Sequence, residues 1–285
     1  LIQNYLDVKK YKVSILTCGG KKNFSCSLNV YGINEICKAC ISRRNLALSK
    51  LNGTFKVTEI KKNYKFPNKI KLKNISDLEY ENIDFGLGLY SSYTNSTRDS
   101  FLNGKKSIKT IKRLLDTSFS FYKFFQDFLN KQKIDEFIIY NSRMSEKRPL
   151  FRFAIQKNIN VSNYEKLTVG KFFNFKDHFS EDRKFRKNQI LKFLKSNDQN
   201  FDKEKKYFTE KFYSKKDPIN FEIYAKHQKP NKLPKKWSSK EKNIVFFTSS
   251  DDEHLSFGKD MNPAFCKDQR EILKETSLII NKKKN

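Results

Sequence analysis

A strand, a helix and a second strand follow one another between residues 137 and 164, and this pattern constrains the fold more than any other stretch. Residues 137–140 form a short apolar run, residues 146–158 carry a helical pattern, and residues 160–164 return to strand-like residues. Two strands joined by a helix at this spacing pair in parallel. The sequence therefore predicts an α/β fold with a Rossmann-like parallel sheet flanked by helices.

The N-terminal part of the chain repeats the same order of elements. Residues 11–16 alternate like a strand and end in a Gly-Gly turn, residues 34–51 read as a helix, and residues 55–60 read as a second strand. Residues 107–129 place apolar side chains three and four positions apart, which is the strongest helical periodicity in the chain. We expect this helix to pack on the sheet.

The second half of the chain suggests a domain boundary. Two charged helices are expected at 180–195 and 202–214, and residues 225–242 contain two prolines and no periodicity. A strand pattern at 243–248 and a helix at 268–280 follow. These patterns predict an acceptor-side domain at 1–225 with a cysteine-containing insertion near 18–40, a linker at 226–242, and at 243–285 the first βα unit of a second domain.

The charge of the chain suggests several partners but selects none. The 59 Lys and Arg residues exceed the 31 Asp and Glu residues by 28 over 285 residues. Clustered cations bind nucleic acid, yet here Lys is spread through Asn, Ile, Phe and Tyr, which all have AT-rich codons. Genome composition explains much of the charge, so nucleic acid is the less favoured partner. An anionic membrane surface or a nucleotide phosphate would also be attracted.

Four of the five cysteines lie within one short window, at Cys18, Cys26, Cys37 and Cys40. Two cysteines separated by two residues can reach one metal ion, and a structural zinc site needs four ligands. A structural zinc site is one interpretation. Reduced structural thiols and a redox pair remain open alternatives, and a zinc site within a basic nucleic-acid-binding module is the main competing function.

Polar and charged residues follow the predicted strands. Asn141 and Arg143 come directly after the strand at 137–140, with Arg148 a few residues further on, and Glu165 follows the next strand. Open α/β sheets bind ligands at the carboxyl ends of their strands. Arginine there can hold a phosphate or carboxylate, and Glu165 can accept a proton from a hydroxyl. Solvated surface side chains are the alternative.

A second polar turn follows the strand pattern at 243–248. Ser249 and Ser250 can present hydroxyl and backbone N–H groups to a phosphate at a helix start. Ordinary helix capping by these residues explains the same pattern.

Taken in order, these segments resemble bacterial surface or capsule polysaccharide biosynthesis proteins of the GT-B glycosyltransferase type. The resemblance covers most of the chain in short pieces. The pieces are Cys18-Gly19-Gly20 with Cys26 and Cys37-Lys38-Ala39-Cys40, Asn141-Ser142-Arg143 with Arg148, Tyr164-Glu165, and the run from Phe246 to Glu253.

The resemblance implies transfer of a sugar from a nucleotide donor to a glycan hydroxyl. It implies Glu165 as a base or acceptor-binding group and Arg143 and Arg148 as positioning groups beside Asn141. It places Ser249, Ser250 and Glu253 in an interdomain cleft.

The nucleotide sugar is then the co-substrate, any zinc is structural, and the protein works in the cytoplasm or at the inner face of the plasma membrane. The resemblance also implies that the family's first strand precedes Leu1 and that the second domain continues past Asn285. A non-catalytic interaction protein of the same fold remains an alternative.

Overall fold

The computed structural model covers the chain in several stretches. It describes residues 1–8, 11–20, 24–60, 62–67, 72–99, 102, 105–168, 171–180, 182–195, 202, 205–206, 232–233, 235, 237–238, 240, 243–247 and 269–282.

The described chain alternates helices and strands. The helices are α1 (Ile2–Asp7), α2 (Asn34–Leu48), α3 (Gly86–Thr97), α4 (Lys105–Lys131), α5 (Arg148–Gln156), α6 (Arg183–Lys195) and α7 (Gln269–Lys282), with a 3-10 helix at Leu72–Asp77. The strands are β1 (Val13–Cys18), β2 (Phe55–Ile60), β3 (Glu79–Tyr80), β4 (Ile83–Asp84), β5 (Glu136–Tyr140), β6 (Asn160–Thr168) and β7 (Lys171–Lys176).

The strands form three small sheets. β1 pairs in parallel with β2, and β5 pairs in parallel with β6, so α2 and α5 are crossover helices. β7 pairs antiparallel with β6, and β3 pairs antiparallel with β4. The protein is therefore mixed α/β, with small parallel and mixed sheets flanked by helices.

The expected single parallel sheet is not what the described strands form. β7 follows β6 after a very short connection, and so short a connection can join only antiparallel neighbours. The parallel pairing of β1 with β2 and of β5 with β6 is confirmed.

The core is built around α4, which the sequence predicted at 107–129. Ile111, Leu114, Leu115, Tyr122 and Phe125 are fully buried on this helix, because the three- and four-residue spacing places them on one side. Both α3 and α5 pack against α4. The helix thus supports the end of the β5–β6 pair from which the site described below is built.

Other sequence expectations had mixed outcomes. The final helix is confirmed as α7, but residues 243–247 form no strand. Their apolar side chains are exposed, Phe247 by 91%, and no described strand pairs with them. An alternating pattern makes a strand only where a partner satisfies its backbone.

Two further expectations concern regions that are mostly not described. Residues 207–214 of the predicted helix at 202–214 and residues 226–231 of the predicted linker lie outside the described residues. The domain division stays a prediction.

Candidate functional site

The loop that leaves β5 turns sharply at its first residue. Asn141 has a left-handed backbone with φ of 47°, a conformation that Asn tolerates better than most residues. Its N–H donates to the carbonyl of Tyr164 at 3.0 Å. The next N–H, of Ser142, donates to Oδ1 of the fully buried Asn163 at 3.3 Å. The loop is thereby fixed to β6 at the point where the pairing of β6 with β5 ends.

Helix α3 packs against this loop through small side chains. A methyl group at Gly88 would lie 3.1 Å from Cβ of Arg148 and 3.2 Å from Cα of Ser145, so only glycine allows this approach without displacement. The Ser145 N–H donates to Oγ of Ser92 at 2.8 Å, and Nη1 of Arg143 donates to Oγ of Ser91 at 3.2 Å. The contact is close and largely polar.

Glu146 anchors a second segment to the same loop. Its side chain is 8% exposed and accepts hydrogen bonds from the Ser27 hydroxyl at 2.6 Å and the Ser27 N–H at 3.2 Å. The Ser145 hydroxyl donates to it at 3.1 Å. Bonds to an ionised acceptor are among the stronger hydrogen bonds. The cysteine-containing turn at 26–29 therefore sits directly on the β5–α5 loop.

Arg148 points into the protein. Its Nε donates to the carboxylate of Asp84, its guanidinium carbon lies 4.5 Å from the ring centre of Phe179, and the residue is 3% exposed. The other oxygen of Asp84 accepts the Leu87 N–H at 3.1 Å. The contacts of Arg148 are thus internal ones that tie α5 to the start of α3, and its substrate-binding role stays a prediction.

The sequence predicted that Glu165 follows its strand, but the structure places it within β6, where it pairs with Phe173 of β7. It lies directly after Tyr164, the last β6 residue that pairs with β5. Asn141, Arg143 and Glu165 therefore lie beyond the same end of the β5–β6 pairing.

Glu165 is partly buried, and its Oε1 accepts the Ser180 hydroxyl at 3.4 Å. Partial burial and the negative charge of Glu165 raise the pKa of Tyr140. Since Tyr140 is the last residue of β5, Glu165 lies near the start of the loop that carries Asn141 and Arg143.

Two buried oxygens of this loop have no hydrogen-bond partner among the described residues. They are Oδ1 of Asn141 and Oγ of Ser142. A buried acceptor without a partner costs free energy, and a role in binding or catalysis is one of the explanations for such a group.

The four cysteines lie near one another in the structure. Burial raises the pKa of the Cys18 thiol, and charge on Cys37 and Cys40 raises it further. Burial raises the pKa of Cys26 to about 12, with Glu146 adding to the effect. Among the described residues no group of three or more His, Cys, Asp or Glu side chains is arranged to hold a metal ion. A zinc ion at these cysteines stays a prediction.

Three of the predicted site residues cannot be placed. Ser249, Ser250 and Glu253 lie outside the described residues.

Several residues of the site were missed by the sequence analysis. Glu146 lies in the polar stretch between β5 and Arg148, the first residue of α5, so its position near the strand end was a usable signal. Asp84, Asn163 and Ser27 carry no such signal. Each gains its role from a partner far away in the sequence.

Comparison of the chain with protein-family models, with curated proteins and with solved structures gave no match. Within the described part of the chain, no helix has the length and apolar character needed to cross a membrane.

Proposed function

We propose that this chain is the acceptor-side part of a GT-B-type glycosyltransferase of surface polysaccharide biosynthesis. The observation that carries the proposal is the edge of the β5–β6 pair, where Asn141 is held in a left-handed turn with an unpartnered carbonyl oxygen. Arg143 and Glu165 belong to the same edge. Sugar hydroxyls are both donors and acceptors, so they match an edge that offers an amide oxygen, a guanidinium and a carboxylate.

Glu165 is the general base in this proposal. The acceptor hydroxyl attacks the anomeric carbon of the donor sugar, and the bond from that carbon to the diphosphate oxygen breaks with its electron pair. The hydroxyl proton passes to the Glu165 carboxylate, which the Ser180 hydroxyl orients. A positioned base of this kind contributes roughly 10²- to 10⁴-fold to a rate.

Arg143 has a positioning role for the acceptor or a phosphate group. Its anchor to Ser91 on α3 restricts the guanidinium, which lowers the entropy lost when a ligand binds. Oδ1 of Asn141 is buried in the ligand-free chain, so it accepts a hydrogen bond from an acceptor hydroxyl only after the loop shifts to expose it. The donor side of the cleft would come from Ser249, Ser250 and Glu253. Nucleotide sugars place the reaction in the cytoplasm, at the inner face of the plasma membrane.

The test begins with calorimetric titration of the full-length protein with UDP-, GDP- and CMP-linked sugars. Binding of at least one donor is expected, and no binding across the panel overturns the proposal. With the bound donor, transfer to capsular oligosaccharides is then measured for the wild type and for Glu165→Gln. The variant should lose about 10²-fold or more in kcat while donor binding stays unchanged.

A matched control separates the base from any surface carboxylate. Glu59 lies near the carboxyl end of β2, and its carboxylate pairs with Arg44 at 2.8 Å. Glu59→Gln should therefore leave sugar transfer unchanged. If Glu165→Gln and Arg143→Ala both retain full transfer, the edge does not carry the chemistry. The alternative of a non-catalytic interaction protein would then be favoured.

A further inference from the structure

Helix α6 combines a high positive charge with exposed apolar side chains. Its 13 residues include six Lys or Arg and no acidic residue. None of its residues is buried, and Ile190, Leu191 and Leu194 are exposed by 59%, 42% and 47%. A helix that packed along its length on the described part of the chain would bury Ile190 and Leu191, so these two side chains are available to another partner.

The helix is attached to the protein through its first turn. The Phe185 ring stacks on His178 at 4.3 Å and lies 5.9 Å from the ring of Phe175. Asp182 caps the helix, because its Oδ1 accepts the Phe185 N–H at 2.8 Å. These contacts fix which side of α6 faces the β6–β7 strands.

The opposite side of α6 is a single stripe of basic and then apolar residues. With 3.6 residues per turn, six side chains fall within about 120° of the helix circumference, roughly opposite Phe185. We call this stripe the α6 surface, formed by Arg183, Lys184, Lys187, Ile190, Leu191 and Leu194. Its cations occupy the first two turns and its apolar residues the last two.

The position of the cations is unfavourable for the helix itself. Arg183, Lys184 and Lys187 lie at the amino-terminal end, where the helix dipole is positive and cations destabilise. The first turn of α6 contains no acidic residue. The capping carboxylate of Asp182 offsets part of this cost, and an anionic partner would offset more of it. A partner with an apolar layer would also cover the exposed aliphatic side chains.

We propose that the α6 surface binds an anionic lipid bilayer, with the cations at the headgroups and the apolar residues inserted at the acyl boundary. The strength with which a helix binds a membrane interface grows with the apolar area that it inserts and with its electrostatic attraction to anionic lipids. Each Lys or Arg near an anionic leaflet adds favourable binding energy. Nucleic acid would satisfy the cations but would leave Ile190, Leu191 and Leu194 exposed to water.

Vesicle flotation of the full chain tests the proposal. The chain should float with vesicles of phosphatidylcholine and phosphatidylglycerol at 7:3 and much less with phosphatidylcholine alone. Lys184→Glu with Lys187→Glu should weaken partitioning at least about tenfold. Ile190→Ser with Leu191→Ser should weaken it about as strongly, since apolar insertion is lost.

The matched controls are substitutions at exposed positions of other helices. Lys109→Glu with Lys112→Glu on α4 changes the net charge equally, and Leu46→Ser with Ile108→Ser removes two aliphatic side chains that are 60% and 50% exposed. Both control pairs should partition like the wild type. All variants are compared after circular dichroism has shown equal folding.

Three results would overturn the proposal. The first is that the wild type fails to float with the anionic vesicles, and the second is that the control pairs lose as much partitioning as the α6 variants. The third is that the α6 charge variants lose binding to a single-stranded oligonucleotide while their vesicle partitioning is unaffected, which would identify the α6 surface as a nucleic-acid surface. None of these results depends on nucleotide-sugar binding.

Discussion

The two strand–helix–strand units have the same topology and very different burial. In the first unit, β1–α2–β2, the 15-residue crossover helix has no buried residue. In the second, β5–α5–β6, six of the nine residues of the crossover helix are buried. Apolar residues are spread around the circumference of α2, whereas on α5 they form one stripe. Topology therefore does not decide which unit belongs to the core; the spacing of apolar residues does.

The difference extends to the ion pairs. Arg44 and Glu59 in the first unit pair at 2.8 Å with side chains that are 21% and 39% exposed. Arg148 in the second unit pairs with Asp84, and these side chains are only 4% and 15% exposed. A well-packed second unit can hold a polar loop rigidly, and this loop is where the candidate site lies.

The largest expected effect tests the two ion pairs. Asp84→Asn should lower the free energy of unfolding by about 3 to 5 kcal/mol, because it leaves the Arg148 guanidinium buried without a counter-charge. Glu59→Gln should cost less than about 1 kcal/mol, because an exposed pair is worth little. Urea unfolding of both variants gives the comparison. Equal losses would show that the two pairs are equally desolvated.

The two strand–helix–strand units also differ in how much of their structure the sequence predicted. The β5–α5–β6 unit and α4 were predicted within a few residues because apolar periodicity and burial agree there. The unit β1–α2–β2 was also found, but nothing in its pattern showed that α2 would remain exposed. The polar residues after β5 were found because the end of an apolar run marks the end of that strand. The end predicted for β6 was wrong, since β6 continues past Glu165 to Thr168 through its pairing with β7.

Helix α3 and strand β7 were missed for physical reasons. The sequence of α3, GLGLYSSYTNST, is rich in Gly, Ser and Thr, which have low helix propensity. Tertiary contact outweighs that preference, since the small side chains allow the β5–α5 loop to approach Gly88 and Ser92 closely. β7 forms because β6 offers it an edge, and a pairing partner is not visible in a local pattern.

The second prediction makes one substitution in corresponding strands. Val161 on β6 is fully buried, and Val57 on β2 is 37% exposed. Val161→Ala should cost about 2 to 3 kcal/mol, since lost transfer free energy and a cavity add together. Val57→Ala should cost under about 1 kcal/mol. Thermal or urea unfolding distinguishes them, and a loss at Val57 as large as that at Val161 would contradict the burial difference.

The smallest expected effect on stability concerns the contact between the cysteine-containing turn and the second unit. Glu146→Gln should cost about 1 to 2 kcal/mol, because Ser27 would then donate to a neutral acceptor. Control variant Ser49→Ala removes an exposed hydroxyl near the end of α2 and should change the free energy of unfolding by less than about 0.5 kcal/mol.

The same variant should change the chemistry of Cys26. Because its pKa is raised to about 12, first by burial and then by Glu146, the folded protein keeps this thiol protonated at neutral pH. The raised pKa contributes stability below the ordinary thiol pKa, and that contribution is lost as the pH rises toward 12.

Alkylation followed by peptide mass spectrometry at pH 8 should label exposed Cys40 well before Cys26. Glu146→Gln should speed the labelling of Cys26 without abolishing the difference, since burial remains. Equal labelling rates for the two thiols in the wild type would show that the turn is not held against the β5–α5 loop.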